Sequence, residues 1–504
     1  MAENTFKLTG ICAATVFATL TACAPAADPG GATATAPAAP TYISNKPVSR
    51  DCGVYAPPDP PPGFARFPGG TAADMPPPIA AWQAVGADRP IAETVAEKVS
   101  PGVTLIDPYS RDPFYLINND KEVIGEFSGD YNSLFSQLLP NGNILSTSNM
   151  YSDTFADGGG QTGCIEEYRP DGSLVYRLAL NTDDYIHHHD LEKLPNGNIL
   201  AVIWERVTAE QAIALGRNPE HVPEDTGLWF DGIVEVNPLT AEIVWEWSMK
   251  HHLIQDFDPN KSNYGVVADN PGKLDINAIR FNNEGHAETD WTHVNALDYN
   301  VELDQIAISS NHLHEVYVID HGTTPFESQG DAGDFLYRWG NPKNYQRGDD
   351  DSMQLFAQHD VHWIEDGLPG AGNLMIFNNG YAANRASTSV VELTPPMNAD
   401  GSYNLSEDGS YGPTADELAW EYVPKEGEEF FSWFISGAQR LPNGNTLVNH
   451  GANSRMREVT PEGDIVWEYQ YDDGADGPQM TFRAYRYPAD HPAILALTAG
   501  RTKN

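Results

Sequence analysis

Positive charge is scarce in this sequence: 29 Lys and Arg stand against 71 Asp and Glu in 504 residues, a formal net charge of -42. A chain this acidic repels nucleic acid phosphates, which excludes DNA and RNA as partners. The acid excess itself reads as a solvated surface. Cysteine is scarcer, with only Cys12, Cys23, Cys52 and Cys164. The apolar run Phe6 to Ala22 is too short and too poorly flanked for a transmembrane helix and reads as a secretory signal. Turn formers, by contrast, are plentiful: 44 Gly and 38 Pro beside 40% hydrophobic residues favour an all-β fold with a large core.

The run ends Leu20-Thr21-Ala22-Cys23, which resembles a bacterial lipoprotein signal in which the cysteine becomes the acylated first residue. The expectation is an exported protein, periplasmic or on the cell surface, with residues 1–23 as signal and lipid on Cys23 as its membrane contact. Residues 24–48, rich in Ala, Pro, Gly and Thr at the start, read as a flexible linker. In an oxidising compartment Cys52 and Cys164 either pair or stay as two buried thiols, and the sequence leaves both open. Residues 49–100 read as a small irregular segment packed on the main domain, with a short helix over Ile91 to Val99.

Residues 101–490 repeat. Leu-Pro-Asn-Gly-Asn recurs at 139–143, 194–198 and 441–445, and Asn-Gly between alternating strands marks a hairpin because both residues tolerate positive φ. Apolar strands follow at Ile165 to Tyr168, Ile233 to Val236, Val316 to Ile319, Val390 to Leu393 and Arg457 to Val459. Aromatic strands close the units at Ile243 to Trp247, Phe335 to Trp339, Leu418 to Tyr422 and Ile465 to Tyr469, with counterparts near Ile124 to Phe127 and Leu174 to Leu178. Four antiparallel strands per repeat is the plan of a β-propeller blade, and the count gives a six-bladed β-propeller with seven blades as the alternative. The first unit is short of strands, and Thr481 to Tyr487 is the run that completes it and closes the ring.

This plan puts the Pro-Asn-Gly-Asn turns on one face and the starts of the channel strands on the other. On that second face fall His189, His293 and His359, each from a different blade. Long insertions gather there too: Arg206 to Phe230, Ser248 to Trp291 and Gly340 to Gln358. Neighbouring loops bring Asn311, His312 and His314, then Asn378, Asn379, Tyr381 and Arg385, then His450, Asn453 and Arg455. One histidine here reads as channel lining; three at equivalent positions read as a site. They fit two chemistries, a trigonal transition-metal site or nucleophilic catalysis by one imidazole with the others holding an anionic group. Spacing leaves both open.

The stretches Asp290 to Asn300, Ile308 to His312, Gln358-His359 and Phe377 to Gly380 resemble the bacterial arylsulfate sulfotransferases, as do His188-His189-Asp190 and Phe482 to Tyr487. The resemblance implies a six-bladed propeller that moves a sulfuryl group from a phenolic sulfate ester to a phenol without a nucleotide donor or other cofactor. It implies His359 as the histidine transiently sulfated, and His189 and His293 as the pair binding the sulfuryl oxygens. Where the family carries an arginine this chain has Asn311, a catalytic hydrogen-bond donor without charge, so Arg385 or Arg455 is expected to supply the charge, with Asn379 and Tyr381 beside the substrate. The expected partners are an aromatic sulfate donor and a phenolic acceptor, with a homodimer as the candidate assembly. A non-catalytic propeller that binds an aromatic or sulfated ligand, and a metal-dependent hydrolase using the three histidines, are the alternatives.

Overall fold

The computed structural model describes residue 43 and residues 47–53, 89–109, 111–150, 152–155, 158–279, 288–381, 387–428, 430–472, 474 and 479–499. The run read as a signal and most of the stretch read as a linker lie outside the described residues, as does Arg385. Six four-stranded antiparallel sheets make the propeller. Their channel strands are Thr481–Tyr487 in blade 1, Ser133–Leu138 in blade 2, Tyr185–Lys193 in blade 3, Val294–Asn300 in blade 4, His359–Trp363 in blade 5 and Gly437–Arg440 in blade 6. Blade 1 is closed as the sequence predicts: the C-terminal strand pairs antiparallel with Val103–Pro108, Leu105 facing Tyr485.

The repeated residues hold neighbouring pieces together. In each Asn-Gly-Asn turn the second asparagine donates its side-chain N–H to a glutamate on the third strand. Asn143 bonds Glu167 at 2.5 Å, Asn198 bonds Glu235 at 2.5 Å and Asn445 bonds Glu458 at 2.7 Å. The tryptophans of the fourth strands reach the next blade. Trp247 Nε1–H donates to Gly333 O at 2.8 Å, Trp339 to Pro413 O at 2.8 Å, Trp420 to Pro461 O at 2.8 Å and Trp467 to Asn119 O at 3.0 Å. This is why an aromatic recurs there: one side chain buries a large apolar area and satisfies a carbonyl across the seam.

Around the channel the seams are stitched by carboxylates that accept backbone N–H from the following blade. Asp190 takes Leu297 N–H at 2.8 Å, Asp298 takes Trp363 N–H at 2.7 Å and Asp360 takes Ala438 N–H at 2.8 Å. Buried carboxylates are tolerated because each is hydrogen-bonded.

Two expectations change and one open question is answered. The helix over Ile91 to Val99 is a single 3-10 turn, Ala96–Lys98, because Val95 N–H is taken by Val466 O at 2.8 Å and the segment follows the edge of blade 6. The insertion expected over Arg206 to Phe230 is shorter. Its ends belong to the long strands Ile199–Val207 and Leu228–Asn237, leaving a loop with the helix Ala209–Ala214. Cys52 and Cys164, left open by the sequence, form a disulfide with Cα atoms 5.8 Å apart. It ties the N-terminal segment to blade 2, beside the bridge of Ser49 to Ala179.

Candidate active site

The three histidines are delivered by irregularities of the channel strands. The register of blade 3 slips between His187 and Leu191, with His189 at φ +54. Blade 4 slips between Val294 and Ala296, with His293 at φ +50, and blade 5 slips between His359 and His362, with Asp360 at φ +57. A bulge re-aims the side chain beside it, and a left-handed residue other than glycine costs about 1–2 kcal/mol. Contacts between blades offset that cost.

His359 is buried and its tautomer follows from its neighbours. Asn379 Nδ2 donates to Ser432 O at 2.6 Å and Ile435 O at 2.9 Å, so its Oδ1 is the atom that meets His359 Nδ1 at 2.8 Å. The proton therefore sits on Nδ1, and Nε2 carries a lone pair, which accepts Ile435 N–H at 3.0 Å. Burial pushes the imidazole down to about 3, with the charges of His293 and Arg483 acting the same way and the Asn379 bond opposing. His359 is neutral at physiological pH. His314 fixes the approach to this strand, Nδ1 accepting Ala357 N–H at 2.7 Å.

His189 and His293 meet edge to face, ring centroids 4.7 Å apart. His189 Nδ1 is 2.8 Å from His188 Nδ1, whose ring stacks on Trp204 at 3.8 Å. Asp231 Oδ1 lies 3.0 Å from His188 Nε2, off the hydrogen-bond axis. His293 Nδ1 is 2.5 Å from Asp290 Oδ2, so a carboxylate backs this ring. Burial, then the charges of His293 and His188, hold His189 well below the ordinary histidine range. Over His189 lies Gly160, at φ +75, with no room for a Cβ.

The other predicted residues divide. Asn379 orients His359, as above. Tyr381 sits nearby, its ring 6.1 Å from that of His314. Asn311 Nδ2 donates to Ala357 O at 2.9 Å and Gln358 O at 3.3 Å, a strut between blades 4 and 5. Arg455 is buried and held by Glu468, Nε to Oε1 3.0 Å, as is Arg457 at 2.9 Å. The arginine that the structure sets under the histidines is Arg483. Sequence reasoning passed it by as part of a terminal strand, although a charge in a channel strand between Phe482 and Ala484 is the signal that could have found it. Asn295, buried with Nδ2 on Gln358 O at 2.8 Å and Oδ1 unpartnered, was also missed.

Among the described residues one group could hold a metal, Asp290, His293 and His312, with ligand atoms within 4.8 Å of one another. The two imidazoles stack at 16° with centroids 4.5 Å apart, and His312 Nδ1 lies 2.9 Å from Asp290 O. Beside His189 stands an apolar wall of Leu134, Phe135, Ile435, Met480 and Phe482, flanked by Tyr109 and Phe434. Phe482 comes within 6.1 Å of the His189 ring.

The fold is that of a six-bladed β-propeller, with His189, His293 and His359 on or beside its channel strands. The family model for arylsulfotransferase (ASST) matches residues 92–487, and the chain belongs to that family of aryl sulfotransferases, which transfer sulfur-containing groups from an aryl sulfate donor to a phenolic acceptor. No curated protein matches the sequence. Among solved structures, a protein of unknown function from Bacteroides caccae is 13% identical, TM-score 0.41, over 77% of this chain and 99% of its own. Virginiamycin B lyase from Staphylococcus aureus is 11% identical, TM-score 0.34, over 76% and 88%. Such distant likenesses carry no argument about chemistry.

Proposed function

We propose that the chain transfers a sulfuryl group between phenols in two steps through His359. In the first, the Nε2 lone pair forms a bond to sulfur while the sulfur–oxygen bond to the aryl group breaks, its electron pair leaving on the phenolate. In the second, a phenolate acceptor bonds to sulfur and the nitrogen–sulfur electron pair returns to Nε2. Sulfuryl transfer, like phosphoryl transfer, needs an in-line nucleophile and donors around the equatorial oxygens. The observation that carries this reading is the fixed tautomer of a neutral His359, with Nδ1–H held by Asn379 and the lone pair on Nε2.

Ile435 N–H caps that lone pair and must turn from it as sulfur arrives, to face a sulfuryl oxygen instead. The segment that would move is strained, Ile435 at φ +46 and Ser436 at φ +89. A left-handed β-branched residue is rare outside such places. His189 and His293 are the proposed partners of the other sulfuryl oxygens, and the wall of Phe135, Phe434 and Phe482 suits an aryl group.

The test is turnover of a chromogenic aryl sulfate with phenol as acceptor, with and without a chelator. Ping-pong kinetics and a sulfuryl adduct on the His359 peptide, trapped without acceptor, are expected. Chelator-sensitive turnover, or an adduct on His189 or His293, sinks the assignment. Silence on a broad donor panel favours a binding protein.

Export and lipid anchoring at Cys23 are proposed with it, supported by the Leu-Thr-Ala-Cys sequence and by a disulfide that suits an oxidising compartment. A Cys23→Ser chain that still partitions with membranes would refute the anchor.

A further inference from the structure

Arg483 is buried on the closing strand of the ring, and its guanidinium touches the three channel strands that carry the three histidines. Nη2 lies 2.7 Å from Asp190 Oδ2 and donates to Asn295 O at 3.3 Å, while Nε lies 2.8 Å from Asp360 Oδ1, an ion pair off the hydrogen-bond axis. Asp190 follows His189, Asn295 is two residues after His293, and Asp360 follows His359. Phe135 and Phe482 hold the guanidinium from the sides, at 5.6 and 5.0 Å from their ring centres.

We propose that Arg483 is the positioning residue of the site: a clamp that draws the inner strands of blades 3, 4 and 5 to one point and thereby sets the separation of the imidazoles. Blades 3 and 5 are not neighbours, so no ladder bond fixes His189 relative to His359. The two carboxylates that follow them face a common centre, and like charges there repel unless a cation lies between. Only a planar fork reaches both at once; an ammonium group satisfies one and leaves the other. Because Arg483 comes from the last strand, the site is assembled when the ring closes. The guanidinium touches carboxylates, a carbonyl and, from Nη1 at 3.4 Å, the Tyr485 hydroxyl, and its work on the reaction passes through the histidines.

The inference rests on the transfer reading for its kinetics, and its test has an arm that does not. Arg483→Lys, which keeps charge but loses the fork, and Arg483→Met are each expected to lower kcat by about 10²-fold or more with KM changed less than about threefold, since roughly an ångström of misplacement costs that much. A role limited to local charge predicts a near-normal Lys variant. The neutral triple change Arg483→Met, Asp190→Asn, Asp360→Asn removes the repulsion; it should recover thermal stability while kcat stays low, and it is the variant to read if Arg483→Met alone does not fold. A crystal structure of Arg483→Lys should show His359 displaced from His189 by about 1 Å or more. A Lys variant with at least a third of the parent kcat, a triple variant with parent kcat, or a crystal structure with the imidazoles unmoved would overturn the clamp. Should the parent turn over no aryl sulfate, the transfer reading fails and the crystal structure alone decides this one.

Discussion

The two faces of this propeller are built from the same repeat and solve opposite problems. On the turn face the repeated asparagines meet a glutamate of their own blade, as Asn198 meets Glu235, and many left-handed positions are glycine, Gly142, Gly197 and Gly444 among them, although Lys121, Ala241 and Asp304 are not. On the mouth face the left-handed positions are His189, His293, His314, Ala357, Asp360, Ile435 and Ser436. Their geometry is held by bonds that cross blades, from Asp190 to Leu297, from Asp360 to Ala438 and from Arg483 to both carboxylates. The mouth accepts strain where the histidines must be aimed, and distant parts of the chain supply the restraint.

The strongest way to break the comparison is at the histidines. His359→Ala should reduce both half-reactions to background, while His189→Ala and His293→Ala each lose about 10²–10³ in rate, the usual worth of an oxyanion donor. Rapid quenching of each half-reaction separates the two classes. All three variants should remain folded, since each removes a side chain from the mouth.

A sharper comparison uses two glycines of similar backbone, Gly160 at φ +75 against the His189 ring and Gly197 at φ +88 with nothing within 4 Å. Alanine at either costs about 1–2 kcal/mol of stability, because the left-handed conformation penalises a Cβ. Gly160→Ala must also displace His189, and kcat should fall about tenfold or more, towards the loss seen when that donor is removed. Gly197→Ala should leave kcat unchanged. Equal kinetic effects would mean that the two faces are not separable in this way.

The charged partner of the turn face gives a smaller effect. Asn198→Ala removes a hydrogen bond to Glu235 that Asn196 partly replaces at 3.0 Å, so about 1–2 kcal/mol is expected in a denaturation curve, with activity intact.

A separate signal is in pH. His359 and His187 are both pushed down to about 3 by burial, so the folded chain excludes protons that the unfolded chain takes up near 6.5. Their contribution to stability is complete above about 6.5 and is lost as pH falls from there towards 3. The first half-reaction should correspondingly keep its rate from pH 8 to about 5. An acid limb near 6.5, as for a free imidazole, would show that His359 is not as buried when substrate is bound.

The repeats were legible in the sequence because their work is local. An Asn-Gly turn and an alternating strand each state a requirement of the residues beside them, the fourth-strand tryptophan recurs because every blade meets a neighbour, and six copies state the ring. His189, His293 and His359 were legible for the same reason, as departures at one position of a repeated plan. What the sequence could not carry was partnership across the channel. Arg455 looked available on its loop, yet folding places Glu468 beside it; Asn311 looked like a donor to the substrate, yet its N–H groups meet Ala357 and Gln358. Arg483 lay in a strand whose address was known but whose neighbours, Asp190 and Asp360, stand 293 and 123 positions earlier in the sequence. Ring closure alone brings such charges together, because their pairing depends on the distance between blades that share no hydrogen-bonded edge.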